Sequence, residues 1–380
     1  MKKILLVSPT PTHPQTAGNR TRIDGLLSGL QQLGHDVYFC HVQSEPGDEE
    51  AMRKVWGDRF FSVPYHRPHS PGARWKRKIQ SIFKPDARYV YSIDEWYDPS
   101  IDGAITDLNE RFRFDVVIVE YVFFSRILEL FGNDVLKIVD THDVFTDRHL
   151  KYLKNGQVPQ WYSTTRQEEA KALDRADVVI AIQDLERDFF SGLTSRKVIT
   201  IGHIVALREA LKRDAGKQIL FVASDNPINS DGINQFIADA FPAIRNEVPG
   251  AELALAGSVC KAVNDQPGVV KLGRVDDLVP VYEAAAVVIN PVRFNTGLSI
   301  KNLEALGYSK PLVTSPTGAE GLEDGAGSAF LLADSPGDFS EHIIKCLSDS
   351  DHASRLARGA YEYASAWNRK TIRQLGDILA

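Results

Sequence analysis

The chain has 380 residues, of which 43% are hydrophobic and 25% charged, and its formal net charge is −6. This length exceeds what one hydrophobic core usually organises and indicates two domains, while the mildly acidic balance gives no sign of a nucleic-acid-binding protein. No stretch approaches the roughly 18 apolar residues of a membrane span. The cysteines at positions 40, 260 and 346 lack metal-ligand spacing, as expected for reduced residues of a cytoplasmic protein.

The first 205 residues alternate apolar runs with helical patterns, which is typical of an α/β domain with a parallel sheet. We interpret the opening apolar run, Ile4 to Ser8, as a strand and not a signal sequence, because it is short and ends in prolines. The predicted strands are Ile4–Val7, Val37–Val42, Val116–Glu120, Leu136–Val139, Val178–Ile182 and Val198–Ile201. The predicted helices are Ile23–Leu33, Phe123–Leu130, Trp161–Leu173 and Leu185–Phe190.

A highly charged segment without aromatic residues, 206–217, is predicted to link this first domain, 1–205, to a second domain over 218–364. The alternation of strands and helices restarts after it. The predicted strands are Ile219–Ala223, Leu253–Ala256, Val269–Leu272, Ala284–Val292, Pro311–Thr314 and Phe330–Ala333. The predicted helices are Gly232–Ile244, Leu278–Ala285, Leu298–Leu306 and two more at the carboxyl end. The sequence therefore predicts two successive Rossmann-like α/β domains.

The loop between the strand Ala284–Val292 and the following helix has the chemistry of an anion site. It turns through Asn295, Thr296 and Gly297, and glycine lets a ligand approach the free backbone amides of a helix start closely. Arg293 and Lys301 add positive charge nearby. The pattern indicates a nucleotide diphosphate, and the alternative is an ordinary turn with Lys301 in solvent.

Four segments of this chain carry a family resemblance when they are taken together. They are PVRFNTGLSIKNLEALGYSKPLVTSPTGAEGL at Pro291–Leu322, TAGNRTRIDGLLSGLQQLGHDVYF, VDTHDVF and SAWNRKTIRQLGDIL. In that order, they are similar to the donor-binding segment, the first glycine loop and helix, the histidine-containing segment and the last helix of retaining GT-B glycosyltransferases of the family 4 type. The resemblance implies a GT-B fold, two Rossmann-like domains facing each other across a cleft, with 365–380 crossing back to the first domain.

The resemblance also implies which residues bind the donor. Glu304 matches the glutamate that holds the ribose of the donor nucleotide. The family's other glutamate falls on Thr296, so the carboxylate that usually contacts the donor sugar is absent. The loop whose backbone amides meet the pyrophosphate corresponds to Thr296, Gly297, Leu298 and Ser299.

A departing diphosphate needs a counter-charge. The family's usual Arg and Lys pair would fall in Ser224–Gly232, which contains no basic residue. We therefore expect Arg293 and Lys301 to share that task. No metal motif is persuasive, because the one Asp-x-Asp string, Asp349 to Asp351, lies between two predicted helices and is expected to cap a helix.

The first domain contributes two further candidates. His142 follows the strand that ends at Asp140 and matches the family histidine that contacts the donor sugar, the alternative being a loop histidine bonded to Asp140 or Asp143. Gly18, Asn19 and Arg20 open the first helix and are expected on the acceptor side of the cleft, the alternative being a plain helix start.

Two other stretches have open interpretations. Arg74 to Lys84, RWKRKIQSIFK, is a basic amphipathic pattern that fits either peripheral contact with an anionic membrane or a docked surface helix. Tyr89 to Tyr97 is rich in aromatic residues that either line an acceptor cleft or belong to the core.

The resulting hypothesis is a hexosyltransferase-like enzyme that moves a sugar from a nucleotide-diphosphate sugar to the hydroxyl of a glycan or lipid-linked acceptor. We expect retention of configuration, no cofactor, no metal and no nucleic-acid partner, in the cytoplasm or peripherally at the inner membrane face. The alternative is a catalytically silent GT-B protein that binds a nucleotide sugar or partners another transferase. A sugar-nucleotide 2-epimerase of the same shape is a further rival, and an NAD-dependent Rossmann enzyme is disfavoured because no G-x-G-x-x-G follows either first strand.

Overall fold

The computed structural model describes residues 1–68, 71–209 and 216–380. The described residues form two compact units. Unit 1 contains Met1–Pro14, Asn19–Gly202 and Thr371–Ala380, and unit 2 contains Gln15–Gly18 and His203–Lys370. Positions 210–215 of the predicted linker lie outside the described residues.

Unit 1 is built on a parallel sheet of seven strands. In chain order these are β1 Lys3–Ser8, β2 Asp36–Val42, β3 Phe60–Val63, β4 Val116–Glu120, β5 Leu136–Asp140, β6 Val178–Ala181 and β7 Lys197–Thr200. Their order in the sheet is β3-β2-β1-β4-β5-β6-β7. Glu120, the last residue of β4, is in register with Asp140, the last residue of β5. Both residues therefore lie side by side at the carboxyl edge of the sheet.

Helices connect these strands, as parallel pairing requires. They are α1 Gly18–Gln32, α2 Glu49–Trp56, α3 Pro71–Phe83, α4 Asp102–Phe112, α5 Arg148–Lys154, α6 Arg166–Leu173 and α7 Asp184–Ser191. Turns of 3-10 helix occur at Gly57–Arg59, Pro85–Tyr89, Pro99–Ile101 and Val122–Leu130.

Unit 2 is built on a parallel sheet of six strands. These are β8 Gln218–Val222, β9 Glu252–Ala256, β10 Val269–Gly273, β11 Val287–Asn290, β12 Leu312–Thr314 and β13 Leu331–Leu332, in the order β10-β9-β8-β11-β12-β13. The helices are α8 Pro227–Asp239, α9 Phe241–Glu247, α10 Val279–Ala284, α11 Ile300–Gly307, α12 Pro336–Ser348 and α13 Ser350–Asp377, with 3-10 turns at Ser258–Ala262, Thr317–Ala319 and Glu323–Gly325. The predicted fold class, two α/β units with parallel sheets, is confirmed.

Both faces of the unit 1 sheet are covered, because successive side chains of a strand point to opposite faces. Leu5 and Val7 belong to one buried cluster, and Ile4 and Leu6 belong to another. The second cluster also contains Leu375, Ile378 and Leu379, which come from the end of the chain. These last residues are therefore part of the same core as the first strand.

Three helical predictions differ from the structure in their bounds, number of helices or helix type. The helix predicted over Trp161–Leu173 begins only at Arg166, because the Thr165 side chain accepts a hydrogen bond from Glu168 N and caps it there. Trp161 has a φ of +68° and is not helical. The helix predicted over Gly232–Ile244 is two helices, α8 and α9, and the pattern predicted as helical over Phe123–Leu130 is a 3-10 helix.

The structure decides two of the open interpretations. Trp96 and Tyr97 are buried and pack with Phe123 and Phe124 in the unit 1 core, so the core interpretation of the aromatic stretch is confirmed for these two rings. Asp349 Oδ1 accepts a hydrogen bond from His352 N, 2.9 Å away, and so caps α13 as predicted. Within the described ranges, no helix has the length and apolar character needed to cross a membrane.

Candidate functional site

The sheet of unit 2 has a topological switch point between β8 and β11. These two strands are neighbours, but the chain continues from β8 toward β9 and from β11 toward β12, on opposite sides. The loops that follow two such strands diverge and leave a crevice at their carboxyl ends, where open α/β sheets bind ligands. The predicted anion loop, residues 291–299, is one of these two loops.

Asn295 holds the β11–α11 loop in shape. Its Oδ1 accepts a hydrogen bond from Thr296 N at 2.9 Å, while its Nδ2 donates to Ser299 Oγ at 3.1 Å and to the carbonyl of Gly297. Thr296, Gly297, Leu298 and Ser299 are all buried. Ser299 precedes α11 without a side-chain capping hydrogen bond, which leaves the start of this helix suited to an external anion.

Lys301 lies in the first turn of α11 and is not a solvated lysine. Its Nζ donates a hydrogen bond to Asn229 Oδ1 on α8 and lies 5.2 Å from the centre of the Phe221 ring. Burial desolvates the ammonium group and lowers the pKa of Lys301 to about 8, although the Glu304 carboxylate acts in the opposite direction. Lys301 therefore connects the first turns of α11 and α8 and provides a positive charge, whereas the β8–α8 loop contains no basic residue.

Arg293 has different neighbours from Lys301. Its Nη1 lies 3.5 Å from Asp231 Oδ2, and its side chain is 59% exposed. It lines a cavity of about 440 Å³ together with residues of α8, of the loops after β12 and β13, and of the start of α12. Lys301 does not line this cavity. The two cations expected to share one task are thus held by different contacts.

Glu304 lies one turn after Lys301 on the same helix and faces tyrosines. Tyr282 and Tyr308 stack with their ring centres 4.3 Å apart. Burial raises the pKa of both phenols, and the Glu304 carboxylate raises it further. Glu304 therefore interacts electrostatically with Lys301 and with both tyrosines.

Gly18, Asn19 and Arg20 have three different environments. A Cβ atom added to Gly18 would lie 3.2 Å from Ile300 Cβ, so this glycine packs closely against the first residue of α11. Asn19 Nδ2 donates a hydrogen bond to Tyr121 Oη at 3.0 Å. Arg20 donates to the carbonyls of Pro14 and Pro46, at 3.3 and 3.1 Å, and so connects two loops of unit 1.

His142 lies at the carboxyl edge of the unit 1 sheet. The alternative interpretation expects its ring to be hydrogen-bonded to Asp140 or Asp143, but the structure shows a different partner. Its Nε2 is hydrogen-bonded to Glu120 Oε2, and its ring stacks on Tyr121 with centres 4.0 Å apart. Both His142 and Tyr121 have positive φ values, +63° and +70°. Such backbone strain in residues other than glycine is concentrated at functional sites.

Arg22 and Asp140 form a fully buried ion pair beside this histidine. Arg22 Nε and Nη2 donate to the two Asp140 carboxylate oxygens at 3.1 and 2.8 Å. Arg22 Nη1 donates to the carbonyl of Gly202 and Nη2 also donates to that of Ile201, each at 3.1 Å. This bidentate geometry is the strong form of an Arg–carboxylate pair.

Glu120, Asp140 and His142 each offer a candidate metal-ligand atom within 4.8 Å of the others. The donor set does not fit a divalent cation, because the Arg22 guanidinium already binds both Asp140 oxygens and would repel it. Burial raises the pKa of Glu120 to about 7, and the neighbouring Asp140 carboxylate acts in the same direction. The group is better described as a polar cluster of ion pairs and hydrogen bonds.

Sequence reasoning missed several of these residues. Glu120 was assigned only as the end of a strand, and Arg22 was not singled out. A carboxylate ending an otherwise apolar run, VVIVE, is one signal for the first. For the second, Arg22 precedes Leu26 by four residues and therefore lies on the buried face of its helix. Nothing in the sequence indicated that Asn229 would bind Lys301.

Comparison with known proteins supports the fold of the chain. Residues 216–349 match the family model described as "Glycosyl transferases group 1". A Klebsiella pneumoniae protein described as "Uncharacterized 44.6 kDa protein in cps region" is 22% identical and is aligned over 96% of this chain and 95% of its own length.

Two solved structures also resemble the whole chain. Sucrose-phosphate synthase from Thermosynechococcus elongatus has a TM-score of 0.69 at 15% identity, covering 100% of this chain and 98% of that one. Alr3699/HepE from Anabaena, in complex with UDP and glucose, has a TM-score of 0.65 at 13% identity, covering 100% and 99%. The fold is GT-B, and the family match together with the fold supports a glycosyltransferase.

Proposed function

We propose, from the GT-B fold of the chain and the match of residues 216–349 to the group 1 glycosyl transferases, that this protein transfers a hexosyl group from a nucleotide-diphosphate sugar to an acceptor hydroxyl. The observation that carries the proposal is Lys301, a desolvated cation hydrogen-bonded across the switch point at the start of α11. A helix start without a side-chain cap, next to a half-buried counter-charge, suits a diphosphate leaving group.

The donor-binding roles follow the family resemblance. The backbone of residues 296–299 receives the pyrophosphate, Glu304 receives the ribose hydroxyls, and Lys301 with Arg293 balances the charge of the departing diphosphate. His142 contacts the donor sugar. The proposed chemistry is retention of configuration without a metal ion, in which the leaving phosphate itself accepts the proton of the acceptor hydroxyl.

UDP is the nucleotide to test first, because the Anabaena protein of the same fold binds UDP and glucose. A thermal-shift screen of nucleoside diphosphates and nucleotide sugars identifies the donor, since a ligand that binds only the folded protein raises its melting temperature. Transfer and hydrolysis assays with the stabilising nucleotide sugar then test the reaction. If no nucleoside diphosphate raises the melting temperature, the proposed donor site is wrong.

The alternative, a catalytically silent protein, rests on the missing carboxylate at Thr296 and the neutral Ser224–Gly232 segment. The comparisons do not favour it. Binding of a nucleotide sugar with neither transfer nor hydrolysis would support it. Product analysis without added acceptor separates transfer from epimerisation, because an epimerase alters the donor sugar alone.

Thr296 offers a test of donor specificity. Replacement of Thr296 by Glu introduces a carboxylate at the position that contacts the donor sugar in the family that this chain resembles. We therefore expect the ratio of the kcat/KM values for two different UDP-hexoses to change by about tenfold or more. The control is Thr296→Gln, which has nearly the same shape without the charge. A donor ranking identical in both variants and the native protein would show that this position does not face the sugar.

The acceptor in this proposal is a glycan or a lipid-linked precursor of a polysaccharide. A lipid-linked acceptor suits an enzyme that binds a membrane peripherally on its cytoplasmic side. Trp75, Ile82 and Phe83 of α3 are 68%, 73% and 85% exposed, and the basic residues Lys78 and Lys84 are exposed in the same segment. The side chain of Arg74 lies outside the described residues.

The membrane contact is testable by flotation with vesicles. We expect the native protein to float with anionic phosphatidylserine vesicles at low salt and to be released at high salt, because attraction of basic residues to an anionic surface is screened. Phe83→Glu should weaken flotation about tenfold or more, since it replaces an exposed apolar ring available to the membrane interface with a charge that anionic lipids repel. The control is Leu185→Glu, an exposed leucine of α7. Equal flotation of both variants would rule out α3 as the contact.

A further inference from the structure

Glu120 is a buried carboxylate with an asymmetric environment. Its side chain is fully buried at the end of β4, and its Oε2 is hydrogen-bonded to His142 Nε2. Its other oxygen, Oε1, has no hydrogen-bond partner among the described residues. A buried carboxylate that is not fully hydrogen-bonded costs stability, so folding alone does not explain its presence at this position.

The ring of His142 is fixed from a second direction. The Tyr121 ring lies parallel to it, with an interplanar angle of 15° and a centroid distance of 4.0 Å. Tyr121 is itself held, because its hydroxyl accepts a hydrogen bond from Asn19 Nδ2. Stacking sets the plane of the imidazole, and the hydrogen bond to Glu120 sets its rotation within that plane.

The charged groups around His142 come from several elements. They are the carboxylates of Glu120 on β4, Asp140 on β5, Asp143 in the following loop and Glu45 after β2, with the Arg22 guanidinium of α1 bound to Asp140. Glu186 of α7 adds a further carboxylate beside Arg22. Among these groups, Glu120 is the one that contacts the ring through a hydrogen bond.

We infer that Glu120 is a positioning residue for His142, which holds the ring with the proton on Nε2 and presents Nδ1 as an acceptor for a sugar hydroxyl. A carboxylate that accepts from one ring nitrogen determines which tautomer the histidine adopts. The neutral imidazole then has one acceptor nitrogen in a defined direction. The identity of that hydroxyl as part of the sugar substrate rests on the proposed function.

Nitrogen-15 NMR of histidine-labelled protein tests the positioning without any assay of activity. His142→Ala identifies the resonances of His142 among those of the 10 histidines. In the neutral form of the ring, we expect native His142 to have a protonated Nε2 and an unprotonated Nδ1. Glu120→Met removes the acceptor and should abolish this tautomer preference, whereas Glu120→Gln keeps an acceptor oxygen and should retain part of it.

Kinetics with the same variants test the consequence for sugar transfer. Glu120→Met should lower kcat by about tenfold to a hundredfold, by analogy with the loss of groups that orient metal-binding histidines. The affinity for UDP should stay within about twofold of the native value, a range of about 0.4 kcal/mol. Glu120→Gln should recover part of kcat. A purely structural role predicts instead a shared fall in melting temperature and UDP affinity.

The outcomes separate the two hypotheses. An unchanged His142 tautomer in Glu120→Met overturns the positioning role, whatever the activity. A changed tautomer in a protein that neither binds UDP nor transfers sugar supports the positioning role and rejects the proposed function. A changed tautomer with unchanged kcat shows that the orientation of His142 does not serve the reaction, which also overturns the inference.

Discussion

Replacement of Lys301 by alanine is expected to lower kcat/KM for sugar transfer by about 10²- to 10³-fold, the usual loss when one preorganised electrostatic group is removed from a developing anion. The ammonium group already lies in a desolvated position between Asn229 and the Phe221 ring. Its interaction with a diphosphate is therefore little screened by water. UDP binding, measured by calorimetry, should weaken as well.

The pH dependence gives this prediction a second observable. Burial lowers the pKa of Lys301 to about 8, so its positive charge is lost as the pH rises through that value. In the free enzyme kcat/KM should fall over the same range. Lys301→Arg should remove this alkaline limb, because a guanidinium stays charged.

Two further substitutions show whether the effect belongs to Lys301. Lys271→Ala removes a lysine of the same unit whose Nζ lies 2.6 Å from the exposed Asp265 carboxylate, and it should leave transfer nearly unchanged. Arg293→Ala should have a smaller effect than Lys301→Ala, because Arg293 is 59% exposed and is near Asp231. A Lys301→Ala protein with the turnover of Lys271→Ala would exclude Lys301 as the counter-charge.

Replacement of Arg22 by methionine is expected to have the largest effect on stability, about 3 to 5 kcal/mol of the free energy of unfolding of unit 1. The substitution leaves the Asp140 carboxylate buried without its bidentate partner and removes the donors to the carbonyls of Ile201 and Gly202. The loss arises mainly from the uncompensated charge, not from the modest net strength of the pair itself.

Urea unfolding followed by tryptophan fluorescence measures this loss, because Trp56, Trp75, Trp96 and Trp161 all lie in unit 1. Trp367→Phe removes the one tryptophan of unit 2 and makes the signal specific. The control is Arg59→Met, which breaks an ion pair of Asp36 with an arginine that is 53% exposed, and should cost at most about 1 kcal/mol.

A double substitution tests the physical cause. Adding Asp140→Asn to Arg22→Met removes the buried negative charge and should recover part of the lost stability. If Arg22→Met costs no more than Arg59→Met, the pair does not stabilise unit 1. If the double variant is less stable by the full sum of the two single losses, the uncompensated charge is not the cause.

Buried strands could be predicted from the sequence because both faces of these sheets are covered, so a strand such as Val116–Glu120 is apolar up to its last residue. The edge strand Phe60–Val63 was missed, since it is short and only its end residues are buried. The helix predicted from Trp161 failed because its aromatic residues pack in a non-helical segment, and the Thr165 cap carries a weaker signal than apolar spacing.

The candidate site could be predicted only where its residues are close in sequence. In the β11–α11 segment, Gly297, the start of α11 and Lys301 lie within a few positions of one another. The partner of Lys301, Asn229, is 72 residues away, and Glu120 is 22 residues from His142. Contacts of this kind depend on which strands are neighbours and in what register, and apolar periodicity does not contain that information.

The division of the chain between the two units has a consequence for its synthesis. Unit 1 takes Leu375, Ile378 and Leu379 into the core cluster that also contains Ile4 and Leu6. The amino-terminal unit therefore lacks part of its core until residues 371–380 have left the ribosome, whereas almost all of unit 2 is one continuous segment that is complete earlier. Domains usually fold in the order of their synthesis. In this protein the synthesis of unit 1 begins before that of unit 2, but its last core residues are synthesised after unit 2.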